Sequence, residues 1–142
     1  MGNKFFVIGL CFLALSLCSC GNEKENDARL ARGCEAAAKT MLDKEEYDRQ
    51  IDRVASKKLG MSDGFRLVTI DVVTKNKEFG YESNESFNCK FEEQSSFAGM
   101  MWRASLVQIQ IDEDVYGSNG GKIFGDLNDQ MKLMDAVQAA MK

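Results

Sequence analysis

From Phe5 to Leu17 the chain is apolar for thirteen residues, with Gly9 and Ser16 the only mild interruptions, and the run stops abruptly at Gly21-Asn22-Glu23-Lys24-Glu25. This break constrains the chain more than any other feature, because it separates what can fold from what cannot. A membrane-spanning helix needs about 20 apolar residues to cross roughly 30 Å of hydrocarbon, and this run is too short. With Lys4 before it and small residues after it, the run has the marks of an export signal spanning residues 1–19. Cutting 19 residues from 142 leaves 123, enough for one small domain with a single core. Residues 20–28 are polar and read as a tether, which leaves 29–142 as that domain.

Leu17-Cys18-Ser19-Cys20 resembles the lipobox of bacterial lipoproteins, in which a leucine stands three residues before a lipidated cysteine and a small residue directly before it. Cys20 fits as the acceptor. Cys18 fits badly, since Leu17 would then occupy the small-residue position. The resemblance implies a diacylglycerol thioether on Cys20, usually with a third, amide-linked acyl chain. Two or more chains anchor a protein stably, at about 0.8 kcal/mol per buried CH₂. Gly21 rather than an aspartate follows the cysteine. In a cell with two membranes, the resemblance therefore favours the outer membrane, facing the periplasm.

Of five cysteines, Cys11 and Cys18 leave with the signal and Cys20 takes lipid, so Cys34 and Cys89 remain. Two thiols in an exported domain most simply form a disulfide. The alternatives are a reactive thiol or a thiolate metal pair, but the two do not form a CxxC and the chain has no histidine. Lacking histidine, the chain also lacks the commonest general base and any His-dependent triad. The cleaved chain loses only Lys4 among its charges, so 17 basic residues face 22 acidic ones. Nucleic-acid binding, which needs a basic patch, is not expected.

Asp27 is expected to cap a helix running to about Lys44, with Leu30, Cys34, Ala37, Ala38, Met41 and Leu42 on one face. Asp43 to Leu59 carries Tyr47, Ile51 and Val54 at helical spacing among many charges, a second helix or a kinked continuation, with Gly60 as its C-cap. From Phe65 the pattern alternates. Val68, Ile70 and Val72 mark one strand, Phe87, Cys89 and Phe91 its returning partner, and Val107, Ile109 and Ile111 a third. Glu93 to Gly99 reads as a loop and Asp114 to Gly121 as a turn. Ile123, Phe124, Leu127, Met131, Met134, Val137 and Met141 follow at intervals of a terminal amphipathic helix. The expected fold is α+β: an N-terminal helix or two, a three-stranded antiparallel sheet and a C-terminal helix. Cys34 and Cys89 both fall on expected core faces.

Stretches that invite chemistry fit it poorly. Asp112, Asp114 and Gly117 match part of a calcium loop, but Tyr116 and Ile123 occupy two of the ligand positions, including that of the bidentate glutamate. Asn119-Gly120-Gly121-Lys122 lacks the first glycine of a phosphate loop. Glu45, Glu46, Asp48 and Asp52 are interspersed with Arg49, Arg53, Lys57 and Lys58, as on an ordinary charged helix face. Neither a cofactor nor a metal is expected. Met100, Met101 and Trp102 read as a strand start with Trp102 in the core; as an exposed apolar contact they would be the best partner-site candidate.

Cys34 with Ala37, Asn76 with Phe79-Gly80, and Phe87-Asn88-Cys89-Lys90-Phe91 together resemble a loose class of small exported bacterial domains. The chain departs from that class in its lysine-rich turn and long C-terminal extension. The likeness implies one disulfide and an α+β fold, and carries no function. The expectation is a non-enzymatic lipoprotein that binds another envelope protein or helps assemble an envelope machine. The alternative is an inhibitor or immunity-type module using the Glu93–Gly99 loop against an envelope hydrolase.

Overall fold

The computed structural model describes residues 20–98 and 100–142, so the expected signal 1–19 lies outside the described residues. Helix α1 (Cys20–Leu42) is followed by strands β1 (Arg49–Ser62), β2 (Phe65–Asn76), β3 (Glu82–Ser96), β4 (Met101–Ile111) and β5 (Asp114–Tyr116), and then by helix α2 (Leu127–Ala140). The strands form one antiparallel sheet in the order β1-β2-β3-β4-β5. The expected three-stranded sheet is thus corrected to five strands with two helices.

The larger correction is β1. Asp43 to Leu59 supplies no second helix, and Gly60 is no C-cap; it pairs with Leu67 within the sheet. The helical spacing has a physical source in two β-bulges, between Ile51 and Arg53 and between Val54 and Ser56. Each bulge adds one residue and shifts the side-chain alternation by one. Ile51, Val54 and Leu59 therefore pair with Thr74, Val72 and Val68 and turn toward the same side, although their spacings are three and five. Asp63 and Gly64, both at positive φ, close the β1–β2 hairpin between the paired Ser62 and Phe65. An Asp-Gly loop of two residues matches the twist of antiparallel strands.

Asp27 lies within α1 instead of capping it, and pairs with Arg66 at the start of β2. Leu30, Cys34, Ala37, Ala38, Met41 and Leu42 are all buried. They meet Val68, Ile70 and Val72 of β2, Phe87 and Phe91 of β3, and Ile109 and Ile111 of β4 in one core. Cys34 and Cys89 form the disulfide, with Cα atoms 5.7 Å apart, and so fasten α1 to β3. On the sheet's other face Thr69 donates to Asn88, and Asp71 accepts from Ser56 and Ser86. Those hydroxyls lower the Asp71 pKa to about 2.

Helix α2 lies against α1. Asp126 caps it and forms a reciprocal capping box with Asp129. Asp129 also binds Lys44, just beyond the end of α1, and Lys44 lies 5.0 Å from the centre of the Phe124 ring. At the other end Arg32 Nε donates to Ala140 O at 2.9 Å, and Met141 packs onto Gly33. The two helices therefore run antiparallel.

Candidate functional site

Three stretches weighed for chemistry are absorbed by the fold. Asp112, at positive φ, and Glu113 form the β4–β5 turn. Asp112 pairs with Arg49, and Asp114 with Lys122. Among the described residues no group of three or more His, Cys, Asp or Glu side chains is placed to hold a metal. Asn119 to Lys122 folds back on β5 and β4, with Lys122 N donating to Val115 O at 2.7 Å and Gln108 Nε2 to Asn119 O at 2.7 Å. Asp48 and Asp52 are not neighbours on a helix: Asp48 accepts from Asn76, while Asp52, in β1, pairs with Arg53 and Lys75.

A polar cluster sits where β1 begins. Arg49 Nε donates to both Glu85 oxygens at 2.8 and 2.9 Å, and Glu85 also accepts from the buried Thr74. Tyr47 and Tyr116 share a hydrogen bond at 3.2 Å. Burial, then the bond to Tyr116, pushes the Tyr47 pKa up, so its phenol stays protonated at neutral pH. The members of this cluster satisfy one another, and it ties the α1–β1 connection to β3 and β5.

The open feature is a groove of about 330 Å³ between α2 and the end of the sheet, lined by Leu106, Ile109, Tyr116, Phe124, Leu133 and Met134 among others. Gln108, Ser118, Lys122 and Gln130 also line it, and exposed apolar side chains stand beside it. Ile123 is 76 % and Leu127 73 % accessible, and Met131 and Met134 continue the exposed line along α2. Helix α2 thus carries two apolar stripes where the sequence reads as one. Leu133, Val137 and Met141 face the core, whereas Leu127, Met131 and Met134, at i, i+4 and i+7, face out. The interval pattern allows both, and only the position of α1 separates them.

The groove borders an unfinished edge of the sheet. Strand β5 pairs only with Ile109 to Ile111, so among the described residues no strand covers the outer side of β4 from Met101 to Gln108. Gln138 donates to Ala104 O there at 3.1 Å. Strand β1, the opposite edge, is guarded by its bulges and by Asp52, Arg53, Lys57 and Lys58.

Of the three residues weighed as a partner contact, Trp102 is half-buried against the core and donates from Nε1 to Glu93 at 3.0 Å. Met100 and Met101 are exposed. The expected Glu93–Gly99 loop is mostly strand, since β3 continues to Ser96. Cys20 is described only as the first residue of α1.

No protein-family model, curated protein or solved structure matches the chain.

Proposed function

We propose that this chain is a bacterial envelope lipoprotein, held at a membrane through lipid on Cys20, that binds another envelope protein without catalysing a reaction. The Leu17-Cys18-Ser19-Cys20 resemblance supports the anchor. The exposed stripe of Leu127, Met131 and Met134 beside an apolar groove carries the binding reading. Soluble surfaces leave such contiguous patches open mainly where something docks. Spacing at i, i+4 and i+7 on a helix suits packing by an amphipathic helix, and methionines adapt to their partners. The partner is thus an envelope protein presenting an amphipathic helix. Helix α1 is about 35 Å long, 23 residues at 1.5 Å each, and the exposed stripe of α2 begins near its far end, where Asp129 pairs with Lys44. The partner is met well off the bilayer, in the periplasm where the cell has an outer membrane.

A photocrosslinking residue at position 131, in cells, tests the binding reading. A discrete protein adduct is expected at position 131, lost when Leu127→Asp is added, and not seen from position 57 on the guarded edge of β1. Identical adduct patterns from both positions would remove the groove as the binding site.

A further inference from the structure

Arg66 joins two distant parts of the chain at one level, pairing with Asp27 of α1 and, across the sheet, with Phe91 of β3. At the other end Lys77, just past β2, donates to Leu42 O, so α1 runs along β2 in the same direction. Going back past Arg66, α1 continues for seven residues to Cys20. Strand β3 continues the same way for five residues to Ser96, paired with Met101 of β4. At 1.5 Å per helical residue and about 3.3 Å per strand residue, these reaches are about 10 and about 17 Å. The β3–β4 hairpin therefore protrudes on the side from which Cys20 emerges, and reaches somewhat further.

Its tip is unlike the rest of the surface. Gln94 to Trp102 carries no charge, between Glu93 and Arg103, in a chain that is 28 % charged. Phe97 is 71 % and Met100 83 % exposed, and Met101 is exposed beside them. A cavity of about 430 Å³ lies below the tip, lined by Trp102, Arg103 and Arg29 among others, and Phe97, Met100 and Met101 stand outside it. Trp102 follows the apex, a residue type enriched at membrane interfaces, and Arg103 can keep its guanidinium in water while its stem runs along apolar surface.

We propose that Phe97, Met100 and Met101 form a membrane-contact tip, which seats in the headgroup–acyl boundary beside the lipid on Cys20 and holds the α2 stripe away from the bilayer. This rests on the anchor reading above. The occupant is lipid because the tip is apolar, uncharged and protruding at the end where the anchor is placed.

The test uses the mature protein, purified from a lipoprotein-processing host and reconstituted into phosphatidylethanolamine–phosphatidylglycerol vesicles containing acyl chains brominated near their middle. Trp102 is the only tryptophan, so Phe97→Trp in a Trp102→Phe background reports on the tip alone. Met100→Trp in the same background is the second probe, and Ile123→Trp reports on the groove. A ring seated about 5–10 Å into the boundary lies near the bromines, and a roughly twofold loss of tip emission is expected, with none at position 123. An acylated protein whose tip probes are both unquenched overturns the membrane contact and leaves the anchor standing. Quenching at position 123 as strong as at the tip also overturns it, since the domain would then lie flat. If intact mass shows no acyl groups on Cys20, the anchor reading fails and takes the tip with it.

Discussion

The hairpin tip and the outer stripe of α2 are both exposed and apolar, yet they are built in opposite ways. The tip is a turn at the end of two strands that reach past the Cys20 end of α1. The stripe rides on a helix fixed at one end by a capping box and the Lys44–Asp129 pair, and at the other by Met141 packed against Gly33. The tip points the same way as the Cys20 end of α1. The stripe borders a concave groove near the far end of α1. Composition does not distinguish these patches, since both are rich in large apolar side chains. Their support and position do, and on that difference rest the proposals of lipid for one and a protein helix for the other.

The comparison can be broken most severely through the scaffold both patches share. Replacing Cys34 and Cys89 by alanine removes a cross-link spanning 55 residues, and a loss of about 4 kcal/mol in urea unfolding is expected. A loss below about 1 kcal/mol would mean that helix–sheet packing alone holds α1 in place.

Gly33→Val separates the two regions. A Cβ at Gly33 would stand 2.9 Å from Met141 Cγ and 3.3 Å from Phe91 Cζ. The added bulk should cost about 1–3 kcal/mol by forcing α2 outward. Crosslinking from position 131 should fall while quenching of the tip is unchanged. Equal losses at both sites would show that the patches are not independent.

Acid should loosen the start of α2. Asp129 accepts from Lys44 and from the Asp126 backbone, which holds its pKa below the ordinary 3.8. A carboxylate depressed in the folded state stabilises the fold above its unfolded value, and that contribution is lost as pH falls through the folded one. Amide protection in the first turn of α2 should therefore drop as the pH falls below about 3.8, and Asp129→Asn should remove that dependence. An unchanged acid profile in the variant would exclude the Lys44 pair as its cause.

The smallest effects on stability come from the patches themselves. Phe97→Asp and Met131→Asp lie on the surface, and each should change unfolding free energy by less than about 0.5 kcal/mol. Each should nevertheless abolish its own contact, the first vesicle quenching from a Met100→Trp probe and the second capture from a crosslinker at position 134. A stability loss of several kcal/mol from either would show that its patch is structural.

Strands β2, β3 and β4 stand where alternation puts them, because each buries one face under the helices and period-two patterning follows directly. Strand β1 misleads for the complementary reason: it is an edge strand whose bulges convert its apolar spacing into a helix-like one. The Asp63-Gly64 pair was the local signal for a hairpin there, and it outweighs the spacing once recognised. Strand β5 is only three residues long, too short to leave a pattern.

Local patterning marks which segments have a face to bury, and which two cysteines could meet, since periodicity is a local property of the backbone. The sequence also carries the lipobox resemblance at Cys20. Which apolar residues remain uncovered is not a local property. That depends on where α1 lies relative to α2 and how far β3 outruns β2, distances set by packing between segments remote in the chain. Leu127 and Leu133 illustrate this: they share one helix and one residue type, yet one is exposed and the other is core.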